Sequence, residues 1–420
     1  MSGSDGGDGP GASAAAGPTL RRDLSFFEVV VYGVGLILGA GIYAVLGAAA
    51  GIAGEAVVIS VLLAGVTASF TGLSYAELAS RYPQGEGDYV YVRSAFGSKR
   101  LAEAVAALRV FVGVVSAAAV AIAFAGYLSG FLAISTTVAA LGLVAVASFI
   151  NYWGIDLSAK LNLVFTAAEV GGLAVVIWVG FGSWGTVDVF DATGGAVGVV
   201  EATFLLFFAY LGFGSIVTVA EETENPTTTI PQAVVLAIAI TTVIYVAVAL
   251  SAVALTDTAV LGTSASPLAV VAEAGGGATV GALVGAVALA ATANTVLVLL
   301  VSTSRLTYGV AKSEYRSLPT AFSRVHPRQH TPYLAVALVG ALTVPFVLLG
   351  DLVVVAGVAN AALLLVFVAV NAALVRLRYD RPSDRTGFTA PLTVGRISGT
   401  AVLGVFTSLL LLGFYVSSLV

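Results

Sequence analysis

The chain contains no cysteine, only two histidines and one methionine, and very little charge. Without cysteine there is no disulfide framework and no thiolate chemistry. The two histidines, His326 and His330, share one polar stretch. A histidine-built zinc or iron site is therefore not expected, nor is any cofactor. Charged residues make up 10% of the 420, against about 25% in an ordinary soluble domain. So little charge cannot cover a surface facing water on all sides. The side chains, 59% of them hydrophobic, must largely face lipid. The net charge of −5 is modest, and no nucleic-acid partner is expected. The first twenty residues are mostly Gly, Ser, Ala and Asp, without the basic start and apolar stretch of a signal peptide. Residues 1–22 read as a disordered tail.

What is present is a series of long apolar stretches. A helix needs about 20 apolar residues to cross the hydrocarbon core. Eleven such stretches run over 25–47, 55–79, 101–129, 135–152, 158–182, 199–220, 231–256, 278–304, 332–349, 352–376 and 396–419. They are too long, and too uniformly apolar, for the alternating strands of about 10 residues that build a membrane barrel. The expectation is an all-α polytopic membrane protein with the lipid bilayer as its surroundings.

The basic residues orient it. Arg81, Arg93, Lys99 and Arg100 lie between spans two and three, and Arg305, Lys312, Arg316, Arg324 and Arg328 between eight and nine. Arg376, Arg378, Arg381, Arg385 and Arg396 lie between ten and eleven, Arg21 and Arg22 precede span one, and Lys160 starts span five. The opposite loops hold Asp188, Asp191, Asp257, Glu273 and Asp351 and no Lys or Arg. Positive-inside then puts the N-terminus, and the 1–22 tail, in the cytoplasm of a plasma-membrane protein.

Two spans are interrupted by glycine at matching places. Span one carries Gly33, Gly35, Gly39 and Gly41; span six carries Phe207-Phe208-Ala-Tyr210-Leu-Gly212-Phe-Gly214. Glycine-interrupted segments in corresponding halves of a chain mark the binding sites of transporters. Breaking a helix in mid-membrane frees N–H and C=O groups that lipid cannot satisfy, and a ligand can. The helix N-terminus after a break favours an anion and the C-terminus before it a cation. An amino acid zwitterion carries one of each. Close packing is the competing reading of any one such glycine, since Gly35–Gly39, Gly47–Gly51 and Gly281–Gly285 are all GxxxG pairs. The symmetric placement favours the ligand reading for spans one and six. Gly33–Gly41 is not a nucleotide loop, because its spacing is GxGxxxG and no strand precedes it.

Four motifs, in order, carry a family resemblance: Gly35-Leu-Ile-Leu-Gly-Ala-Gly-Ile-Tyr43; Ser74-Tyr-Ala-Glu-Leu-Ala-Ser-Arg-Tyr-Pro83 running on through Gly87-Asp-Tyr-Val-Tyr-Val-Arg93 to Gly97; Phe207-Phe-Ala-Tyr-Leu-Gly-Phe213 with Glu221-Glu222, Asn225-Pro226 and Ile230-Pro231; and Ser304-Arg305 with Leu318-Pro319, His326-Pro327 and Thr331-Pro332. The chain resembles the amino acid permeases of the amino acid–polyamine–organocation superfamily. The resemblance implies a leucine-transporter-type fold, a 5+5 inverted repeat with spans one and six discontinuous. It puts the repeats at 23–185 and 196–378, leaving 379–420 as a cytoplasmic loop and an eleventh helix. It also implies a site: N–H groups of Ala40 and Gly41 on the substrate carboxylate, carbonyls of Ile37, Phe208 and Leu211 on the ammonium, Phe208 as an aromatic lid, and Gly39 and Gly212 at the breaks. Relatives with cationic substrates often carry an acid where this chain has Gly214, so a neutral amino acid is expected. Relatives usually have twelve spans or more.

Glu169 lies about 11 residues, roughly 16 Å, into span five. An ionisable group at such depth is a functional candidate. Many relatives have lysine there, in the place of a coupling sodium; the carboxylate inverts that sign. Glu169 is expected to bind a coupling H⁺, or to hold Na⁺ with hydroxyls such as Ser302 and Thr303. The competing reading is a structural ion pair between Glu169 and Arg109 of span three. Glu28, Glu77 and Glu103, near helix ends, read as capping or snorkelling groups. The acidic residues after span six, Glu221, Glu222 and Glu224, read as an inner gate or as a solvated loop. The segment Ser264–Gly277 reads as an outer lid with a glycine hinge.

The expected function is secondary active transport of an amino acid, by alternating access or exchange. A polyamine or organic-cation permease and a permease-like sensor are the alternatives. No nucleotide motif supports a pump, and an enzyme would need a nucleophile and base that the spans lack.

Overall fold

The computed structural model describes residues 23–83, 87–154, 159–312, 318–380 and 387–418, with backbone alone at 159–163. The tail expected over 1–22, with Arg21 and Arg22, lies outside the described residues, as do Arg316, Arg381, Arg385 and the side chain of Lys160.

Nine helical stretches among the described residues are long and apolar enough to cross a membrane. The first, Phe26–Arg81, is two helices, α1 (Phe26–Ala53) and α2 (Val57–Arg81), turned by Gly54–Ala56. Gly54 adopts φ 71°, and a Cβ there would lie 2.5 Å from the Thr193 hydroxyl, so the turn requires glycine. With the shorter apolar helix Tyr333–Leu349, the described residues hold eleven apolar helices, the number of spans the sequence implies.

After α2 come α3 (Gly87–Phe96), α4 (Lys99–Ser129), α5 (Thr136–Trp153) and α6 (Ala159–Gly180). The sixth span starts as α7 (Gly195–Leu206) and continues as a 3-10 helix over Phe207–Glu222. The chain goes on through α8 (Pro226–Leu255), α9 (Thr258–Thr263), α10 (Pro267–Gly276), α11 (Ala278–Lys312), α12 (Tyr333–Leu349) and α13 (Leu352–Asp380). A two-stranded hairpin, β1 (Thr393–Val394) and β2 (Ile397–Ser398), leads into α14 (Gly399–Ser418). The spans are apolar on every side, and what ends them is local: Pro226 at the start of α8, Gly350 at φ 71° closing α12, Ser25 capping α1. Ser25 accepts the Glu28 N–H while Glu28 accepts from the Ser25 N–H, so Glu28 is a capping residue, as expected.

Packing repeats with a shift of five spans. Span one packs on six, two on seven (α2 on α8), three on eight (α4 on α11) and four on nine (α5 on α12). The contact of span three with ten (α4 on α13) has its counterpart in span eight with five (α11 on α6). A 5+5 repeat produces this exchange, since each helix meets the neighbours its equivalent meets. The protein is an all-α polytopic membrane protein of the fold that the resemblance implies.

Glycines seat the short helices α9 and α10 on the bundle. A Cβ on Gly47 would lie 2.6 Å from Pro267, and one on Gly51 2.6 Å from Gly262. Gly281 meets Glu273 and Gly285 meets Phe131 in the same way. For these two GxxxG pairs the packing reading holds. The expected outer lid is therefore docked: Leu268, Val271 and Ala272 of α10 are fully buried.

Candidate substrate site

Each break falls halfway along a 28-residue stretch. In α1, Gly39 leaves helical geometry at φ 10°, ψ −176°. In the sixth span the α-helix ends at Leu206 and the backbone tightens from Phe207. Leaving the i→i−4 ladder frees main-chain groups at both places, and side chains of other helices meet them. The Ala40 N–H donates to Thr295 Oγ1 of α11 at 3.2 Å. The Tyr245 hydroxyl of α8 lies 2.7 Å from the Ile37 carbonyl, 3.1 Å from that of Leu38 and 3.1 Å from that of Ala209. With one proton, it donates to one of the three at a time. Asn360 of α13 donates to the Phe204 carbonyl at 2.7 Å.

The two breaks press against each other. A Cβ on Gly41 would lie 2.7 Å from the Ala209 Cα, and one on Gly212 would run into the Leu36 carbonyl. Packing and ligand binding are thus not rivals here: the glycines that let these backbones touch also open the helices. Of the expected substrate residues, Ile37, Ala40 and Phe208 are buried, while Gly39, Gly41, Leu211 and Gly212 keep part of their surface, as Thr295 does. The arrangement offers an N–H pole after Gly39 and a carbonyl pole before it, where spans one, six, seven and eight meet.

The expected ion-coupling residues are not gathered in the same way. Glu169 is 4% exposed, and its Oε1 has no hydrogen-bond partner among the described residues. Its backbone carbonyl accepts from the Tyr43 hydroxyl at 2.8 Å, tying α6 to α1. Ser302 is exposed and bonds within its own helix, to the Leu299 carbonyl. Thr303 is buried with its hydroxyl against Gly113 of α4. The Arg109–Glu169 pair weighed from the sequence is not made: Arg109 Nε bonds Asp88 Oδ2 of α3 at 3.0 Å.

Asp88 also accepts from the Tyr75 hydroxyl of α2. The Tyr75 ring lies 3.5 Å from where a Gly214 Cβ would stand. The place that an acid fills in cationic relatives is thus backed by a tyrosine. Glu77 is not a snorkelling group, because it is wholly buried between Arg378 and Arg81. Its partner Arg378 is also wholly buried and reaches Thr393 and the Ala390 carbonyl of the segment before α14. After span six, the Leu24 N–H donates to the Glu222 carbonyl at 3.0 Å and the Glu224 N–H to the Leu24 carbonyl at 2.9 Å, so this acidic loop is tied to the start of α1.

Sequence reasoning missed Tyr245, Thr295, Asn360 and Asp88. Hydroxyl and amide groups inside apolar runs, Thr295 in Ala291-Thr-Ala-Asn-Thr-Val and Asn360 in Val358-Ala-Asn-Ala-Ala, were the available signal, because such groups need partners in lipid.

One family model, described as amino acid permease, matches residues 24–419. Among curated proteins, an uncharacterized transporter of Mycobacterium tuberculosis is 32% identical over 92% of this chain and 90% of its own length. The branched-chain amino acid permease BcaP of Bacillus subtilis is 26% identical over 96% of this chain and 90% of its own length. Cationic amino acid transporter 7 of Arabidopsis thaliana, a chloroplastic protein, is 28% identical over 90% of this chain and 68% of its own length.

Proposed function

The chain belongs to the amino acid permease family and is a transporter rather than an enzyme, and from that premise we propose that it moves a neutral amino acid across the plasma membrane by alternating access. The observation that carries this is the crossing of two half-broken helices, with the Ala40 N–H on one side and the Ile37, Leu38 and Ala209 carbonyls on the other. Opposite helix poles recognise the two ends of a zwitterion. Of the expected contacts, Ala40 and Gly41 take the carboxylate, Ile37, Phe208 and Leu211 take the ammonium, and Gly39 and Gly212 open the backbone. The Thr295 and Tyr245 hydroxyls of neighbouring helices stand at the same main-chain groups.

Neutrality rests on Gly214, where the Tyr75 ring and not a carboxylate faces span six. The repeats are 23–185 and 196–378, each contributing one broken helix, with 379–420 adding the eleventh span. The basic residues of the even-numbered loops support an N-terminus in the cytoplasm.

Glu169 is the coupling group in this reading. A buried carboxylate with an unmatched oxygen is costly unless it is protonated or meets a cation. Ser302 and Thr303 contribute less, given where their hydroxyls point.

The test is uptake into proteoliposomes of alanine, leucine, phenylalanine, arginine, lysine and a polyamine, with proton and sodium gradients imposed separately. A neutral amino acid should accumulate under one gradient. Faster uptake of arginine, lysine or the polyamine overturns neutrality, and binding without uptake points to the sensor reading. Glu169→Gln should abolish accumulation against a gradient while sparing exchange of internal for external substrate. Accumulation by that variant, insensitive to pH, removes Glu169 from coupling.

A further inference from the structure

We propose that Thr295 is a direct ligand of the substrate carboxylate, supplied by span eight to the N–H pole that the break in span one creates. The proposal rests on the reading of the site as an amino acid site and adds a residue to it.

The geometry sets this threonine apart. Inside a membrane helix a threonine normally returns its hydroxyl to a carbonyl one turn back, which costs the helix little. Thr203, Thr242, Thr292 and Thr343 all do this, donating to Val199, Ile238, Ala288 and Val339 at 2.7, 2.8, 2.7 and 2.9 Å. Thr292 is on the same helix as Thr295, one turn earlier. Thr295 instead reaches 255 positions along the chain to α1 and accepts the Ala40 N–H. Its hydroxyl is also 3.9 Å from where a Cβ on Gly39 would stand, so it lies over the break itself.

A hydroxyl that accepts one bond still has a proton to give. Thr295 keeps part of its surface where Ala40 is fully buried, so the threonine adds an O–H donor at the pole beside the main-chain N–H. A carboxylate arriving at the pole finds an O–H donor backed by a main-chain dipole. Such a bond to an ionised acceptor is about twice as strong as one between neutral groups. The threonine also fixes which end of the zwitterion faces span eight, because the carbonyls around Tyr245 repel a carboxylate. Thr295 therefore sets orientation as well as affinity.

The competing account makes the hydroxyl a stand-in that occupies the Ala40 N–H only while the site is empty and leaves when substrate binds. The two accounts predict opposite signs. Thr295→Val keeps the shape and removes the hydroxyl, and Thr295→Ser keeps the hydroxyl and removes the methyl. If Thr295 is a ligand, the valine variant raises the KM for a transported neutral amino acid about tenfold with little change in kcat, and serine stays near the parent protein. Binding of leucine and of leucinamide to purified protein gives a second readout. The preference for the acid over the amide should shrink in the valine variant and persist in the serine variant. A KM that is unchanged or lower in Thr295→Val, or a serine variant as impaired as the valine one, overturns the proposal. Should the valine variant fail to fold, the serine variant and the acid-to-amide ratio of the parent protein decide. A serine variant that has lost that ratio, or a parent protein without one, also overturns it. Failure of the parent reading shows separately, as absence of amino acid uptake by the unsubstituted protein.

Discussion

The middle of the bundle and its basic end both bury polar groups, and they satisfy them with different chemistry. In the middle, main-chain N–H and C=O groups freed at Gly39 and Phe207 are met by neutral side chains: Thr295, Tyr245 and Asn360. At the basic end, full charges meet full charges. Arg378 holds Glu77 through Nε at 2.8 Å and through a second nitrogen, and Glu77 also accepts the Ala390 N–H at 2.9 Å. The neighbouring Ser80 hydroxyl accepts the Phe388 N–H at 2.9 Å. A neutral hydrogen bond contributes about 1 kcal/mol net, so such a group takes on or exchanges a partner at little cost. Separating a buried ion pair leaves an uncompensated charge in the interior, which costs about 3–5 kcal/mol. The difference separates a place built to change partners from one built to keep them.

Glu77 and Arg378 lie on α2 and α13, one in each half of the chain, and the segment before α14 bonds to both of them. The eleventh span is thus anchored to the bundle by charge as well as by apolar contact. The largest effect should follow from breaking this lock. Arg378→Ala leaves a buried carboxylate without its main partner and should destabilise the protein by about 3–5 kcal/mol, read as a lowered melting temperature in detergent. The double variant Glu77→Gln/Arg378→Met, which removes both charges, should lose much less than the sum of the single changes. If Arg378→Ala melts like the parent protein, the basic end is not the permanent part of this comparison.

The Asp88–Arg109 pair stands between the two extremes. It is partly exposed, 12% and 19% for the two side chains, and it joins α4 to Tyr75 of α2 through α3. Partial exposure screens such a pair, so Asp88→Asn should cost only about 1 kcal/mol. Its larger effect should be on access. The chain has no cysteine, so a single one introduced at Gly214, behind the Tyr75 ring, reports on this region without background. Asp88→Asn should raise its labelling by a maleimide applied from the basic side several-fold. Unchanged labelling would make the pair a fixed strut, like Glu77–Arg378.

The eleven spans and the two breaks were legible because they are written locally, as hydrophobic length and as glycine at matched positions. The helix ends moved by a few residues; the sixth span starts at Gly195 and not 199, since its first turn is glycine, alanine and valine with no sharp signal. The short helices α3, α9 and α10 and the hairpin at Thr393–Ser398 fall below the length that a span search detects. The partners could not be read. Glu77 and Arg378 are 301 positions apart, and Ala40 and Thr295 are 255 apart. Nothing in a linear pattern says which arginine a glutamate will meet, which is why Arg109 looked like a partner for Glu169 when a closer carboxylate, Asp88, was available on α3.

Tyr245→Phe should have the smallest effect on stability and is the sharpest probe of the difference between the two regions. It removes a single oxygen from a point where three carbonyls converge. Only one of the three is bonded at any moment, and the ring stays to fill the same buried space. The loss should be about 1 kcal/mol or less in melting experiments, well below that of Arg378→Ala. Transport should respond the other way. Without the hydroxyl, the unwound parts of spans one and six lose the group that bridges them, so the carbonyl pole is no longer held in register for an ammonium. Uptake in proteoliposomes should fall about tenfold or more, while Arg378→Ala protein that survives purification should keep its KM. A Tyr245→Phe transporter that melts early yet moves substrate at the parent rate would reverse the assignment, making the middle of the bundle the structural clamp and the basic end the moving part.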